Sequence, residues 1–212
     1  MTDWLPTKLR DFFFQYDFAN PDHQRAVDLL QKHASQLMDD NAEWVKTFRG
    51  SKGDVTYLDT AANLIAECEV FRGQPYKCPA GVWTTGYGTT YYPDGTLVTP
   101  QDRPVSKERA RELLNYHIDN AVVPVLEKTI PTWGLMSGNQ KAAIISFAYN
   151  LGSHFYKGNN FQTITKALSN VANFKDVPKA LMLYVNPGSS FEAGLRRRRK
   201  AEADLWNSTT SI

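Results

Sequence analysis

Glu69, Cys78 and Thr84 stand near one another in ECEVFRGQPYKCPAGVWTTGYG, residues 67 to 88, just ahead of the two glycines of TGYG. A carboxyl, a thiol and a hydroxyl so spaced suit hydrolysis with a positioned water. One group protonates the leaving oxygen, while a pair on the other face holds and deprotonates the water. The glycines permit tight turning and close approach of a ligand to the backbone. A glutamate on the apolar face of a helix is costly when ionised, because desolvation favours the neutral acid that a proton donor requires. The same placement suits a structural carboxylate paired with an arginine of the block RRRRK, Arg196 to Lys200. Taken singly, Cys78 reads as a small buried hydrophobe and Thr84 as a strand residue of good β-propensity.

The elements that must position these groups are a helix and a hairpin. The helix is expected from about Thr56 to Val70, with Leu58, Ala61, Ala62 and Ile65 on one stripe and Glu69 four positions beyond Ile65. The hairpin is expected over residues 82 to 98, where VWTTGYGTTYY and TLV flank the turn signal PDG at Pro93 to Gly95. A helix that ends in the glutamate and returns as a hairpin can hold Cys78 and Thr84 facing Glu69 across a cleft.

The remainder reads as helical. Ser106 opens SKERARELLNYHID, Ser137 and Gln140 form a capping box before KAAIISFAYNLG, Asp176 precedes VPKALMLYV, and AGLRRRRKAEADLW closes the chain. Upstream, residues 20 to 48 read as helix, with Asn20 as N-cap, Pro21 at the first helical position and a stripe of Ala26, Leu30, Ala34, Leu37 and Met38 that needs a partner surface. The polar run RGSKGD, Arg49 to Asp54, marks a linker. Two segments follow: an N-terminal helical extension, 1–54, and a catalytic domain, 55–212.

With 42% hydrophobic and 22% charged residues in 212, the chain has the composition of a soluble globular protein and argues against disorder or a membrane span. A net charge of +2 is too small to suggest nucleic acid, and the RRRRK block reads mainly as a solvated, partly paired helix face. Phe12 to Phe14 lie between Asp11 and Asp17, so no signal peptide is expected. The two cysteines, Cys68 and Cys78, and the four histidines, His23, His33, His117 and His154, make no metal-ligand spacing, and no metal or organic cofactor is expected.

The pattern of Glu69, Cys78, Thr84 and the following Gly-Tyr-Gly resembles the catalytic motif of phage-type lysozymes, glycoside hydrolase family 24. QKAAIISFAYNLG, Gln140 to Gly152, and GLRRRRKAEADLW, Gly194 to Trp206, are similar to two further motifs of that family, in the same order. The resemblance implies an α+β, lysozyme-like and mostly helical fold, with a small lobe carrying the hairpin, a larger helical lobe and a cleft between them. It implies a muramidase that cleaves the β-1,4 bond between N-acetylmuramic acid and N-acetylglucosamine with inversion, as a phage or prophage endolysin causing host lysis.

In that reading Glu69 is the general acid, Cys78 and Thr84 stand on the water side, and an arginine of Arg196 to Arg199, taken as Arg197, is the charge partner of the acid. Tyr149 and Asn150 line the glycan cleft, or serve as a helix-packing aromatic and a capping amide. Thr89 stands where the family usually has histidine, so a charged pair that steadies the cleft in relatives is absent. Cys78 replaces the commoner aspartate, and a thiol with a reference pKa of about 8.5 acts as a base only if that value is lowered.

The implied partner is a peptidoglycan glycan strand, with no nucleic acid, no stable membrane insertion and a monomeric state. The implied setting is synthesis in the host cytoplasm, then action on the wall from the periplasm after holin-type release or delivery. A bacterial antibacterial effector would use the same chemistry. A degenerate homologue that holds glycan without cutting it would not, and the presence of Glu69 and Thr84 argues against it.

Overall fold

Three N-caps hold the helices where their sequences begin them. The Thr56 side chain accepts from the Asp59 N–H and opens α1, Tyr57–Cys68. Ser106 accepts from the Arg109 N–H and opens α2, Lys107–His117. Ser137 and Gln140 form the complete capping box ahead of α4, Gly138–Leu151. These belong to a computed structural model that describes residues 56 to 208 except Pro79. The helix expected over residues 20 to 48, and the extension that contains it, lie outside the described residues.

Between α2 and α4 the chain makes a π-turn, Ile118–Val122, the short helix α3, Val123–Thr129, and a 3-10 turn, Trp133–Leu135. After α4 come α5, Gln162–Leu168, a 3-10 segment, Val171–Asp176, α6, Val177–Leu181, and α7, Glu192–Asn207. Every residue from Ala142 to Ala148 is buried, so α4 is enclosed on all sides and forms the axis of the helical lobe. α1 and α7 both pack on it. Phe147 anchors an aromatic cluster through edge contacts with Phe155, Phe161 and Tyr184. No helix among the described residues is long and apolar enough to cross a membrane.

The sheet differs from the expected hairpin. Strands β1, Arg72–Lys77, and β2, Trp83–Gly86, pair antiparallel, with Tyr76 opposite Thr84 and an irregularity between Arg72 and Tyr76. The sequence RGQPYK carries no strand signal, because Pro75 donates no hydrogen bond and Gly73 has no side chain to pack; these residues also occupy the irregularity. The PDG segment is a tight turn closed by the Gly95 N–H to the Tyr92 carbonyl, flanked only by the isolated bridge Tyr91–Leu97. α1 stops at Cys68, short of the expected Val70. Glu69 is its C-cap in extended conformation, donating its N–H to the Ile65 carbonyl at 2.9 Å. The β-branched and aromatic pair Val70 and Phe71 leads instead into β1.

Candidate active site

Because Glu69 is the first extended residue after α1, its carboxylate leaves the apolar face and keeps 31% of its side-chain exposure. It reaches Arg198 of α7, whose Nη1 donates to Glu69 Oε1 at 2.6 Å. Arg198 is the charge partner that the sequence placed at Arg197. Neighbouring helix positions point about 100° apart, so Arg198 turns inward with 6% of its side chain exposed while Arg197 stays exposed.

Arg198 is itself held from behind. Its Nη2 donates to the Ser146 carbonyl at 3.1 Å, and its Nε stands 3.3 Å from Glu202 Oε1. Glu202 is fully buried, accepts from Ser146 Oγ at 2.7 Å and from Arg199 Nη2 at 3.0 Å, and sits at the centre of the group. Arg199 Nε is 2.9 Å from Glu202 Oε2, close enough for ion pairing but misaligned for a hydrogen bond. Its guanidinium lies 4.7 Å from the centre of the Phe147 ring, and its Nη2 also reaches Asn150 Oδ1 at 3.0 Å. Burial pulls the Arg199 pKa down to about 10 and pushes the Glu202 carboxyl up, and the two guanidiniums around Glu202 oppose the second effect.

On the hairpin side, a turn closed by the Gly81 N–H to the Cys78 carbonyl, 2.8 Å, brings the thiol of Cys78 back toward β2. The thiol pKa is lowered, first by a backbone hydrogen bond at Val82, then by Ala80 and by the Thr84 side chain, with partial burial opposing. Thr84 has one hydroxyl proton for two acceptors, the Val82 carbonyl at 3.0 Å and the Cys78 sulfur, so the Val82 backbone is the steadier support of a thiolate. Cys68 moves the other way, pushed up by burial.

Tyr76 lies opposite Thr84 in the ladder. Burial raises its phenol, Arg72 at 4.5 Å from its ring opposes, and the charges of both Glu69 and Cys78 add to the rise. Tyr76 therefore lies within electrostatic range of each.

Beside Glu69 opens a cavity of about 490 Å³, lined among others by Glu69, Asn150, Phe191, Leu195, Arg197 and Arg198. Asn150 offers it an amide whose oxygen is already engaged by Arg199, leaving the NH2 as its donor. Tyr149 is a brace: its hydroxyl donates to the Tyr87 carbonyl at 2.6 Å, and its ring meets His117 edge-on at 5.6 Å. The glycine at 88 makes this possible, since its φ is +107° and a Cβ there would fall 2.9 Å from the Tyr149 hydroxyl. His117 in turn shares a hydrogen bond of 3.0 Å with Tyr91.

Of the residues singled out from the sequence, Glu69, Asn150 and Arg197 line the cavity, while Cys78 and Thr84 sit together on the hairpin outside its lining. Tyr76, Ser146 and Glu202 are not singled out by the sequence, and Arg198 and Arg199 enter only as members of the window Arg196 to Arg199. For three of them a signal existed, because Arg198 and Arg199 precede Glu202 by four and three positions on one helix, the spacing at which side chains meet.

The sequence model of the phage lysozyme family matches residues 66–202. The chain is 31% identical over 153 residues to an endolysin of Acyrthosiphon pisum secondary endosymbiont phage 1, covering 68% of this chain and 93% of the relative. It is 27% identical over 165 residues to a SAR-endolysin of Escherichia phage P1, covering 72% and 82%. Its fold is similar to that of the endolysin from Escherichia coli O157:H7 phage FAHEc1, with TM-score 0.58 and 23% identity over 74% of this chain and 96% of the other.

Proposed function

The chain belongs to the phage lysozyme family, and on that premise we propose how its cleft cuts peptidoglycan. It is a lysozyme of the endolysin type, a peptidoglycan hydrolase acting on the cell wall. Glu69 gives its proton to the glycosidic oxygen as the bond from C1 of N-acetylmuramic acid breaks. Arg198 takes up the carboxylate charge that this transfer leaves behind. A water held by Cys78 and Thr84 attacks C1 from the opposite face and loses its proton to the Cys78 thiolate. Asn150 and the ring of Tyr149 contact the glycan. Proton exchange with solvent then restores the acid and the thiolate.

The observation that carries this reading is the contact of Arg198 with Glu69 at the cavity wall. The lysozyme-like domain is assigned to 55–212, with 1–54 as an N-terminal helical extension. The enzyme acts as a monomer, made in the host cytoplasm and reaching the wall from the periplasmic side after release or delivery.

Muropeptide analysis of digested peptidoglycan tests the reaction. Reducing-end N-acetylmuramic acid is expected, with the α-anomer formed first as inversion of a β bond requires. Anhydro-muramic ends would mean a lytic transglycosylase, and a first-formed β-anomer would mean retention.

A further inference from the structure

The closing helix places four charges in one connected group: Glu69, Arg198, Arg199 and Glu202. With all four ionised the group is neutral. Glu69 is at the cavity and Glu202 is fully enclosed, so the two carboxylates have different work to do. Glu202 is not itself part of the cavity wall, yet it holds Arg198, which is, and Arg199, which reaches Asn150 there.

We infer that Glu202 is a positioning residue of the catalytic cleft, holding Arg198 against Glu69 and Arg199 against Asn150 with one buried carboxylate. The inference rests on Glu69 as the general acid and extends that reading to the residue that sets its surroundings. Ser146 fixes the carboxylate from α4, donating to Glu202 Oε1 at 2.7 Å while its own carbonyl receives Arg198. The groups facing this cluster are Cys68 and Glu69 from the end of α1, Tyr76 of β1, Ser146, Tyr149 and Asn150 from α4, and the two arginines of α7 itself. Cys68, pushed up by burial, is neutral near pH 7.

Glu202 also sets the charge that Glu69 experiences. With Glu202 ionised, one of the two guanidinium charges is cancelled and Glu69 faces the equivalent of a single cation. With Glu202 neutral, two uncompensated cations stand behind the acid and favour its carboxylate, which cannot donate a proton. A part that only supported the fold would change stability and leave the ionisation of the acid alone.

The test is the pH dependence of kcat on soluble glycan strands for the full chain, with folding of each variant checked by thermal unfolding. Glu202→Gln is expected to move the limb that reports Glu69 to lower pH by about one unit, with most of the lost rate at neutral pH regained on acidification. Arg199→Met should move the limb the other way. The double variant Glu202→Gln with Arg199→Met restores the charge balance without a buried unpaired ion, so it tolerates the change better than the single Glu202→Gln variant. Its limb should return close to the parent's.

A limb that stays in place in Arg199→Met and in every folded Glu202→Gln variant overturns the inference, as does a double variant whose limb is displaced as far as that of Glu202→Gln. If Glu69→Gln keeps substantial lysis, the acid assignment itself fails, and this outcome is distinguishable because it is measured with Glu202 intact.

Discussion

Glu69 and Arg198, 129 residues apart in sequence, meet at 2.6 Å between a half-exposed carboxylate and a nearly buried guanidinium. This contact ties the end of α1 to α7, so Glu69, the proposed proton donor, is held by α7 as well as by its place at the end of α1. An Arg that is 6% exposed has little freedom to lose on binding substrate, which makes it a preorganised partner for charge appearing on Glu69.

Glu69→Gln should abolish lysis while leaving the fold intact. The amide keeps the shape and an acceptor for Arg198 but has no acidic proton to give, and loss of general acid catalysis costs about 10²- to 10⁴-fold. Turbidity loss of a cell-wall suspension, with circular dichroism on the same sample, checks it. Substantial residual activity would remove Glu69 from the role.

Arg198 and Arg197 should separate cleanly. Arg198→Ala removes the partner of Glu69 and a hydrogen-bond donor to Ser146, and breaking a buried ion pair destabilises by about 3–5 kcal/mol. Arg197→Ala alters an exposed side chain and should stay within about 0.5 kcal/mol of the parent. Urea unfolding of the two variants is decisive, and equal losses would mean that the inward position of Arg198 is not what matters.

The two thiols should react at different rates. Cys78, with its pKa lowered by the Val82 and Ala80 backbone and by Thr84, should be alkylated faster at neutral pH than Cys68, whose pKa burial raises. Peptide mass mapping after brief iodoacetamide treatment reads this directly. Activity should fall in step with Cys78 modification. Cys78→Asp should keep lysis near neutral pH and Cys78→Ala should be much weaker. If Cys78→Ala matches the parent at every pH, Thr84 positions the water without the thiol.

Gly88→Ala should impair the enzyme through packing. Its Cβ would stand 2.9 Å from the Tyr149 hydroxyl at a φ of +107°, forcing either the TGYG loop or the Tyr149–Tyr87 hydrogen bond to yield. A drop in thermal stability with reduced turnover is expected. Gly95→Ala also lies at positive φ but meets nothing within 4 Å, and should cost stability alone.

His117 predicts a pH effect whose sign follows from burial. Its pKa is lowered in the folded state, so on acidification the unfolded chain takes up a proton near pH 6.5 before the folded chain does. Folding stability therefore declines as pH falls below about 6.5 and levels off only below the folded pKa. Replacing the ring by His117→Gln should flatten that part of the stability profile. Unfolding midpoints between pH 5 and 7 would expose the error if the slope were unchanged.

The local parts of this protein were legible from its residues. Ser106, Ser137 and Gln140 cap helices because short side chains satisfy the free N–H groups of a first turn, an interaction closed within four residues. Glu69, Cys78, Thr84 and the Gly-Tyr-Gly run are close in sequence, and their pattern resembles a motif of the family to which the chain belongs. β1 was not legible, because RGQPYK becomes a strand only when β2 lies beside it to supply the hydrogen bonds. Nor was the choice of Arg198 over Arg197, which depends on the rotation of α7 about its axis as it packs on α4. The burial of Glu202 has the same origin. A carboxylate on a charged helix reads as solvated until the fold encloses it with Ser146 and two guanidiniums, and only tertiary packing supplies those partners.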